Sequence, residues 1–437
     1  MSREMKRANL PCEEYIPQSW ETPRLKDNAY FINGDRGKNY PSGEDIKTEG
    51  VPFLTSDNIH GSTVDIARDG VKYITEEKYN SMHGAKLRIN DLIYCLRGSI
   101  GLCALNKELT QGTIASSLVV IRPKATVIPE FLNYVMNSAV IQQQNNNYTN
   151  GSCAANLSAE NVRNYNMPFP QIEEQKAIVS FLSIHCTYVD SAISKHQQII
   201  EKLEEYRKAV ITQAVTKGLN PNAKMDDDHH EGLGAIPTHW KYERIKYLFT
   251  IRKRIAGEEG YTVLSITQHG IVPKDIDSNK GQIAADYSDY QLVYAGDFAM
   301  NHMDLLTGWV DISNYDGVTS PDYRVFTIND ETRNDKRYFK YLLQMCYFNR
   351  IFYRLGAGIS GMGRWRLQAP AFNNFKFPVP PLAEQAEIAN YIDHVSETID
   401  TAVSQHNQLI SKLQEYKQSL IYNAVTGKID CTVEAKA

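Results

Sequence analysis

The sequence predicts an α+β chain built twice from one plan, each copy a globular head followed by a long helix. Three observations predict it. Residues 168–219 recur at 378–429 with a constant offset and no gap. No proline or glycine interrupts Gln171 to Lys217 or Leu382 to Thr426. The blocks before these stretches mix short apolar runs with glycine-containing turns, the mark of strands and loops.

The repeat sets the organisation. Pro168, Pro170, Glu174, Gln175, Ile178, Asp190, His196, Leu203, Tyr206, Ala214 and Thr216 recur identically from Pro378 through Glu384, Gln385, Asp400, His406, Leu413 and Tyr416 to Thr426. A shorter repeat opens each half: Ile16-Pro17-x-x-Trp20-x-x-x-Arg24 matches Ile236-Pro237-x-x-Trp240-x-x-x-Arg244. The predicted plan is a head at 1–170, a helix at 171–217, a linker at 218–235, a second head at 236–380, a second helix at 381–426 and a tail at 427–437. The heads are dissimilar in sequence. By pseudo-two-fold symmetry the tail lies by the first head as the linker lies by the second.

Each repeated segment reads as a helix with a coiled-coil stripe. The steps between Ile178, Leu182, His185, Val189, Ala192, His196, Ile199, Leu203, Tyr206 and Val210 alternate between four and three residues. The second copy runs Ile388, Ile392, Val395, Ile399, Ala402, His406, Leu409, Leu413, Tyr416 and Leu420. Prolines before each helix and Gly218 or Gly427 after it are boundary signals. Packing the copies on each other by a two-fold axis makes them antiparallel. His196 and His406 then read as polar register residues of the seam.

The heads read as α+β. Asp91–Leu96 and Ser117–Ile121 are expected strands of the first, Asp297–Met300 and Tyr323–Ile328 of the second. One late helix is expected in each, at Pro129–Gln144 and Lys336–Arg354.

Composition narrows the function. The 437 residues are 42% hydrophobic, with a formal net charge of −4, which excludes wholesale disorder and a uniformly basic surface. The small positive balance sits in the second head, so the heads rather than the acidic helices suit a polyanion. Arg252-Lys253-Arg254 and Arg364-Trp365-Arg366 are its basic clusters; basic residues beside an aromatic and glycines suit phosphate and base-edge contact, though composition alone favours solvated turns. No window of about 18 apolar residues and no secretory leader are found. The 7 cysteines form no CxxC and read as reduced thiols of a cytoplasmic protein. No phosphate-binding loop occurs. Gly356-Ala357-Gly358-Ile359-Ser360-Gly361 fits GxGxxG but follows a helical stretch rather than a strand. Glu76-Glu77-Lys78 with Asp65 or Asp69 is a weak nuclease-like pattern. Asp226, Asp227 and Asp228 beside His229 and His230 read as a charged linker or, less simply, a metal site. A non-catalytic binding or scaffold protein is expected, with no cofactor or metal of its own.

The opening Pro168-Phe169-Pro170-Gln171-Ile172-Glu173-Glu174-Gln175, its partner Pro378-Val379-Pro380-Pro381-Leu382-Ala383-Glu384-Gln385, and the endings Ala214-Val215-Thr216 and Ala424-Val425-Thr426 resemble the conserved helices of the specificity (S) subunit of type I restriction-modification enzymes. Gly50 to Ile59, Asp91 to Gly101 and Gly317 to Tyr323 resemble segments of its target-recognition domains. Gln171 departs from the second proline of the helix opening, and Lys217 from the glycine after Val-Thr.

The resemblance implies two target-recognition domains separated by antiparallel spacer helices. Each domain would read half of a bipartite site on double-stranded DNA. The helices would dock two modification subunits, which carry S-adenosylmethionine and methylate adenine. Restriction subunits, with ATP and Mg2+, would translocate and cut. A seam of about 35 residues spans roughly 50 Å, which leaves roughly six to ten unread base pairs between half-sites. Expected DNA-facing residues are Thr55, Ser56, Asn58, Arg97, Ser99, Asn150, Ser152 and Asn156 in the first head. In the second they are Gln268, His269, Asn301, His302, Arg364 and Arg366. Two alternatives stay open: the specificity chain of a two-subunit enzyme whose partner fuses nuclease and methyltransferase, and an enzyme using the GxGxxG or Glu-x-Lys residues.

Overall fold

The structure is a computed structural model that describes residues 3–11, 13–66, 70–149, 156–227, 232–275, 286–358 and 365–434. The chain divides into two units. One is Met1–His196 with Gln408–Ala437, the other Gln197–Asn407. Each holds one head and part of each long helix, Ile172–Lys217 and Leu382–Val425.

The dissimilar heads share a sheet. In the first the order is Ala29–Asn33, Leu118–Pro123, Leu92–Cys95 and Cys103–Leu105, extended by Thr63–Val64 and Ile59–His60. In the second it is Phe249–Arg252, Arg324–Ile328, Phe298–Met300 and Val310–Ile312. Central pairings are antiparallel, with Val120 between Ile32 and Ile93, and Phe326 between Ile251 and Phe298. The central strands read as unbroken apolar runs because both sheet faces are covered. In the first head Leu92, Tyr94, Val119 and Ile121 join the main core, while Ile93, Cys95, Leu118 and Val120 form a second.

The late helix of each head is broken. Pro129–Met136 is followed, past Asn137 and Ser138, by Ala139–Thr149. Lys336–Phe348 is followed by Ile351–Arg354, with Arg350 left-handed at φ 56°. Sequence alone reads one continuous helix because the apolar spacing carries across both breaks.

The long helices carry the heads by the same device. Phe131, Leu132 and Val135 pack with Ile178, Leu182, Leu420 and Ile421 in the first unit. Phe339, Leu342 and Leu343 pack with Ile211, Val215, Ile388 and Ile392 in the second. Burying each Ile or Leu contributes about 1.5–3 kcal/mol. Gln175 and Gln385, both fully buried, fix the orientation. Gln175 Oε1 accepts from the Ile128 amide at 2.9 Å, and its Nε2 donates to the Thr126 and Pro170 carbonyls. Gln385 accepts from the Asp335 amide at 2.8 Å and donates to Arg333 and Pro380. Ile128 and Asp335 are the N-cap residues of the two head helices. The repeated Glu-Gln therefore bolts head to helix.

Within each unit the long helices run antiparallel. Lys417 Nζ reaches Asp190 at 2.7 Å in the first unit, and Arg207 reaches Asp400 at 2.6 Å in the second. The offset of the repeat relates these two ion pairs. Ile199, Tyr206, Leu409 and Tyr416, expected in the seam, are instead exposed at 40, 55, 44 and 53%. The half-buried column is Ile193, Ile200 and Arg207 in one helix, and Val403, Ile410 and Lys417 in the other, beside His196, Leu203, His406 and Leu413. Adjacent apolar residues such as Ile199 and Ile200 leave the three-four spacing ambiguous by one position. The ion pairs turn Arg207 and Lys417 inward and settle it.

The Ile-Pro-x-x-Trp repeat forms a turn in which the Trp20 and Trp240 amides donate to the Pro17 and Pro237 carbonyls. Met5–Leu10 pairs with Glu13–Pro17, and Met225–Asp226 pairs likewise with Ile236–Pro237. Gly427 (φ 75°) ends the second helix where an added Cβ would overlap Pro17, and Cys431 of the tail is buried in the first core. Gly218 (φ 73°) ends the first helix with Trp240 and Glu384 in close contact range of an added Cβ. The sequence expectation that no membrane-spanning window exists needs one correction. One 18-residue window of Ile172–Lys217, mean hydropathy 1.3, is long and apolar enough by that measure. Ile178 and Leu182 of the same helix belong to the head-helix core.

Candidate nucleic-acid interface

In the first head, sheet strand Leu92–Cys95 runs out into the exposed turn Arg97-Gly98-Ser99. The Leu96 amide donates to the Ser117 carbonyl, and the Leu157 amide to the Leu96 carbonyl at 3.0 Å. Arg97 and Asn156 form a β-bridge, and Arg97 Nε donates to Asn156 Oδ1 at 3.0 Å. Two turns expected separately to face DNA are thus clasped together. Helix Ala159–Arg163 follows, capped by Ser158, whose hydroxyl accepts from the Asn161 amide.

The clasp borders an open cleft of about 610 Å³ lined by Asn33, Arg36, His83, Arg97, Asn156 and Ser158, with Asp35 in its wall. Asp35 is buried and accepts from the Gly84 amide at 2.6 Å and the His83 amide at 3.3 Å. Backbone donors thus occupy the carboxylate, while Arg36 and Arg97 are exposed. The cleft presents donors and positive charge.

Ser56–Asn58 is a one-turn 3-10 helix with Thr55 at its N-cap. Asn58 is buried, and its Oδ1 accepts from the Thr55 amide at 2.8 Å. The expectation that Asn58 faces DNA is therefore corrected: it caps its own turn. Asn150 and Ser152 lie outside the described residues.

The second head repeats the backbone bond of the clasp but bridges its loop differently. The Leu367 amide donates to the His302 carbonyl at 3.0 Å, and Arg366 bridges Ala357 through both backbone groups. Helix Ala369–Asn374 follows, as Ala159–Arg163 follows in the first head. Arg366 thus stands where Asn156 stands. Arg364, with the last three residues of the GxGxxG match, lies outside the described residues. Trp365 donates to the Tyr353 carbonyl at 2.6 Å and rests on Gly356, where any Cβ would collide with its indole. Both residues hold the loop in shape, and the tryptophan is no free stacking platform.

Asn301 and His302 are half-buried and serve the frame. Asn301 Oδ1 accepts from the Met303 amide, and its carbonyl accepts from Tyr347 Oη at 2.8 Å. The buried His302 Nδ1 has no partner. Burial first, then the Arg324 and Arg366 charges, push its pKa down to about 4. Gln268 and His269 tip the hairpin Leu264–Thr267 and Gly270–Pro273. With Trp309, Lys340, Arg207 and Asp400 they line a cleft of about 820 Å³, on the spacer-helix side of the head.

Sequence reasoning missed Arg324. This guanidinium is 5% exposed, donates to the Leu367 carbonyl at 3.0 Å and lies 4.5 Å from the Phe372 ring centroid. Burial lowers its pKa to about 10, and no carboxylate pairs with it among the described residues. The available signal was a charged residue heading an apolar strand. The clasp had a signal too: Leu157, Ala159 and Asn164 recur as Leu367, Ala369 and Asn374 in phase with the repeat.

Among the described residues no His, Cys, Asp and Glu cluster has the makings of a metal site. Gln111 bonds Glu76 at 3.0 Å, and Lys78 pairs with Asp45 at 3.0 Å, which engages two members of the nuclease-like triplet. Asp69 and linker residues Asp228, His229 and His230 lie outside the described residues.

Comparison with known proteins agrees with this architecture. The family model for the type I restriction modification DNA specificity domain matches residues 17–205 and 238–412. The MjaVIII specificity subunit of Methanocaldococcus jannaschii is 23% identical, with 95% of this chain and 94% of that protein aligned. The StySPI specificity subunit of Salmonella potsdam is 21% identical, over 95% and 90%. A chain from a structure solved for the assembly and conformational transition of the type I R-M system shares the fold. Its TM-score is 0.66 at 16% identity, covering 95% of this chain and 99% of that one. With two matched segments that span most of its length, each holding a head and a spacer helix, this chain belongs to the type I restriction modification DNA specificity family.

Proposed function

We propose that this chain is the DNA-specificity subunit of a type I restriction-modification complex, each head reading one half of a bipartite duplex site. The observation that carries the reading is the pairing of a shared frame with divergent rims. Both heads are bolted through Gln175 and Gln385 and share the order of four sheet strands and the backbone bond of the clasp, yet the residues around that bond differ. A frame that is kept while its rim varies suits recognition of two different sequences by one machine.

Partner subunits supply the chemistry in this reading. Two modification subunits dock on the spacer helices and use S-adenosylmethionine to methylate adenine. Restriction subunits use ATP and Mg2+. Exposed Ile199, Tyr206, Leu409 and Tyr416 offer the helices an apolar outer stripe for that docking. The DNA face comprises Arg97, Ser99 and Asn156 in the first head and Arg366 in the second, with Thr55 and Ser56 as further members in the first. His196 and His406 keep the helix register.

The test is a map of N6-methyladenine across a genome carrying the chain and its modification subunit, with and without this gene. Loss of one bipartite motif supports the reading. Insertion of four residues in each spacer helix, about one turn, should lengthen the gap and leave both half-sites intact. An unchanged motif on deletion, or an unchanged gap on insertion, refutes it.

A further inference from the structure

We propose that Arg97 reads a guanine in the first half-site, that Asn156 is its positioning residue, and that Arg366 is the equivalent reader of the second half-site. The inference rests on the functional reading above and names the base and the atoms.

Asn156 Oδ1 accepts from Arg97 Nε at 3.0 Å, and the backbone bridge between the two residues fixes their spacing. With Nε engaged, the plane of the guanidinium is set. Its Nη1 and Nη2 edge bonds no described residue, and the side chain is exposed. Two parallel N–H groups held at a fixed angle match the O6 and N7 acceptors of guanine in the major groove. A phosphate contact needs no such orientation, since lysines and freely turning arginines serve it well. Asn156 therefore orders the fork before DNA arrives and lowers the entropy lost on binding.

The second head supplies an independent comparison. At the same clasp it has His302 where the first head has Leu96, and Arg366 where the first head has Asn156. One arginine stands at each clasp, but the bridges differ: Arg97 pairs with Asn156 in the first head, whereas Arg366 pairs with Ala357 in the second. Two heads with dissimilar sequences each carry one arginine next to the backbone bond that joins Leu157 to Leu96 in one and Leu367 to His302 in the other. Arg366 side-chain atoms bond no described residue, and its charge is felt at His302.

The test uses the full chain expressed with its modification subunit in a host free of other adenine methylation, the host genome serving as the library of duplex sites. Arg97→Lys and Arg97→Gln should each relax one guanine position in one half-site, with roughly ten- to hundredfold loss of discrimination there. The other half-site should stay strict. Asn156→Ala should relax the same position by a smaller factor, and Asn156→Asp, which keeps the acceptor, should restore it. Arg366→Lys should relax a position in the other half-site. Complex yield and melting temperature should stay at the wild-type values for Arg97→Lys and Asn156→Asp. Uniform loss of methylation with an unchanged motif would assign Arg97 to phosphate or fold and overturn the inference. So would relaxation at different positions by the Arg97 and Asn156 variants. A wild-type chain that yields no bipartite motif would instead refute the functional reading beneath it.

Discussion

Replacing Gln175 by leucine should loosen the first head from its helix and leave the second untouched. The side chain is fully buried and makes three hydrogen bonds: one accepted from the Ile128 amide, two donated to the Thr126 and Pro170 carbonyls. Each contributes about 1 kcal/mol net, so their loss costs about 3 kcal/mol. Orphaning the amide and both carbonyls raises this to at most about 9 kcal/mol, less whatever water can enter. Leucine keeps nearly the same volume, so no cavity offsets the comparison. The chain has two units, and a single unfolding free energy is not defined for it. Hydrogen exchange read by segment is the suitable assay. A loss of about 3 kcal/mol speeds exchange through unit-wide opening by about a hundredfold, expected across Pro129–Met136 and not across Lys336–Phe348. Gln385→Leu should give the mirror result. Equal changes in both heads, or none in either, would refute the claim that the glutamine bolts one head to the spacer.

Other expectations follow from the same geometry. His302 has a folded pKa of about 4, below the unfolded value near 6.5, so its contribution to stability is complete above pH 6.5 and is lost as pH falls toward 4. The loss should reach about 3 kcal/mol by pH 4 for the second unit, and the urea midpoint of that unit's transition in His302→Gln should be less acid-sensitive than wild type between pH 7 and 5. Arg207→Met removes an ion pair whose Asp400 is 67% exposed, and should cost under about 1 kcal/mol, less in high salt, by thermal melting. Gly356→Ala should push Trp365 from its seat, distort the Ala357–Arg366 bridge and lower methylation through the second half-site. A full methylation level at unchanged motif would sink that link.

Much of the frame is legible in the sequence, because the repeat is strong and the central strands are apolar on both faces. Asp190 with Lys417 and Asp400 with Arg207 recur in phase, yet only the structure shows that they meet. The seam was misread by one position because Ile199 and Ile200 are equally apolar, and spacing alone cannot rank them. The interface is less legible. Asn58 and Asn301 have the amide of a base reader, but their side chains cap their own turns, and composition does not separate those roles. Arg97 and Asn156 were each suspected, but their union is a non-local pairing across the chain that no local pattern encodes.

The division between frame and rim has a consequence for how new specificities arise. The bolts at Gln175 and Gln385 contact backbone groups only: amides of Ile128 and Asp335 and carbonyls of Thr126, Pro170, Arg333 and Pro380. Backbone partners do not depend on the residue types around them, so a head can change its side chains without losing its attachment. The clasp is likewise joined through backbone, from Leu157 to Leu96 and from Leu367 to His302. Its outward side chains are free to vary, and the two copies already differ there. On the proposal above, substitution at residues 97, 156 and 366 should change what is read while the energetic coupling of head to helix, carried by the buried amides and the Ile178 and Ile388 contacts, stays constant. A frame whose bonds ignore side-chain identity is what allows one chain to hold two unlike readers at a fixed attachment.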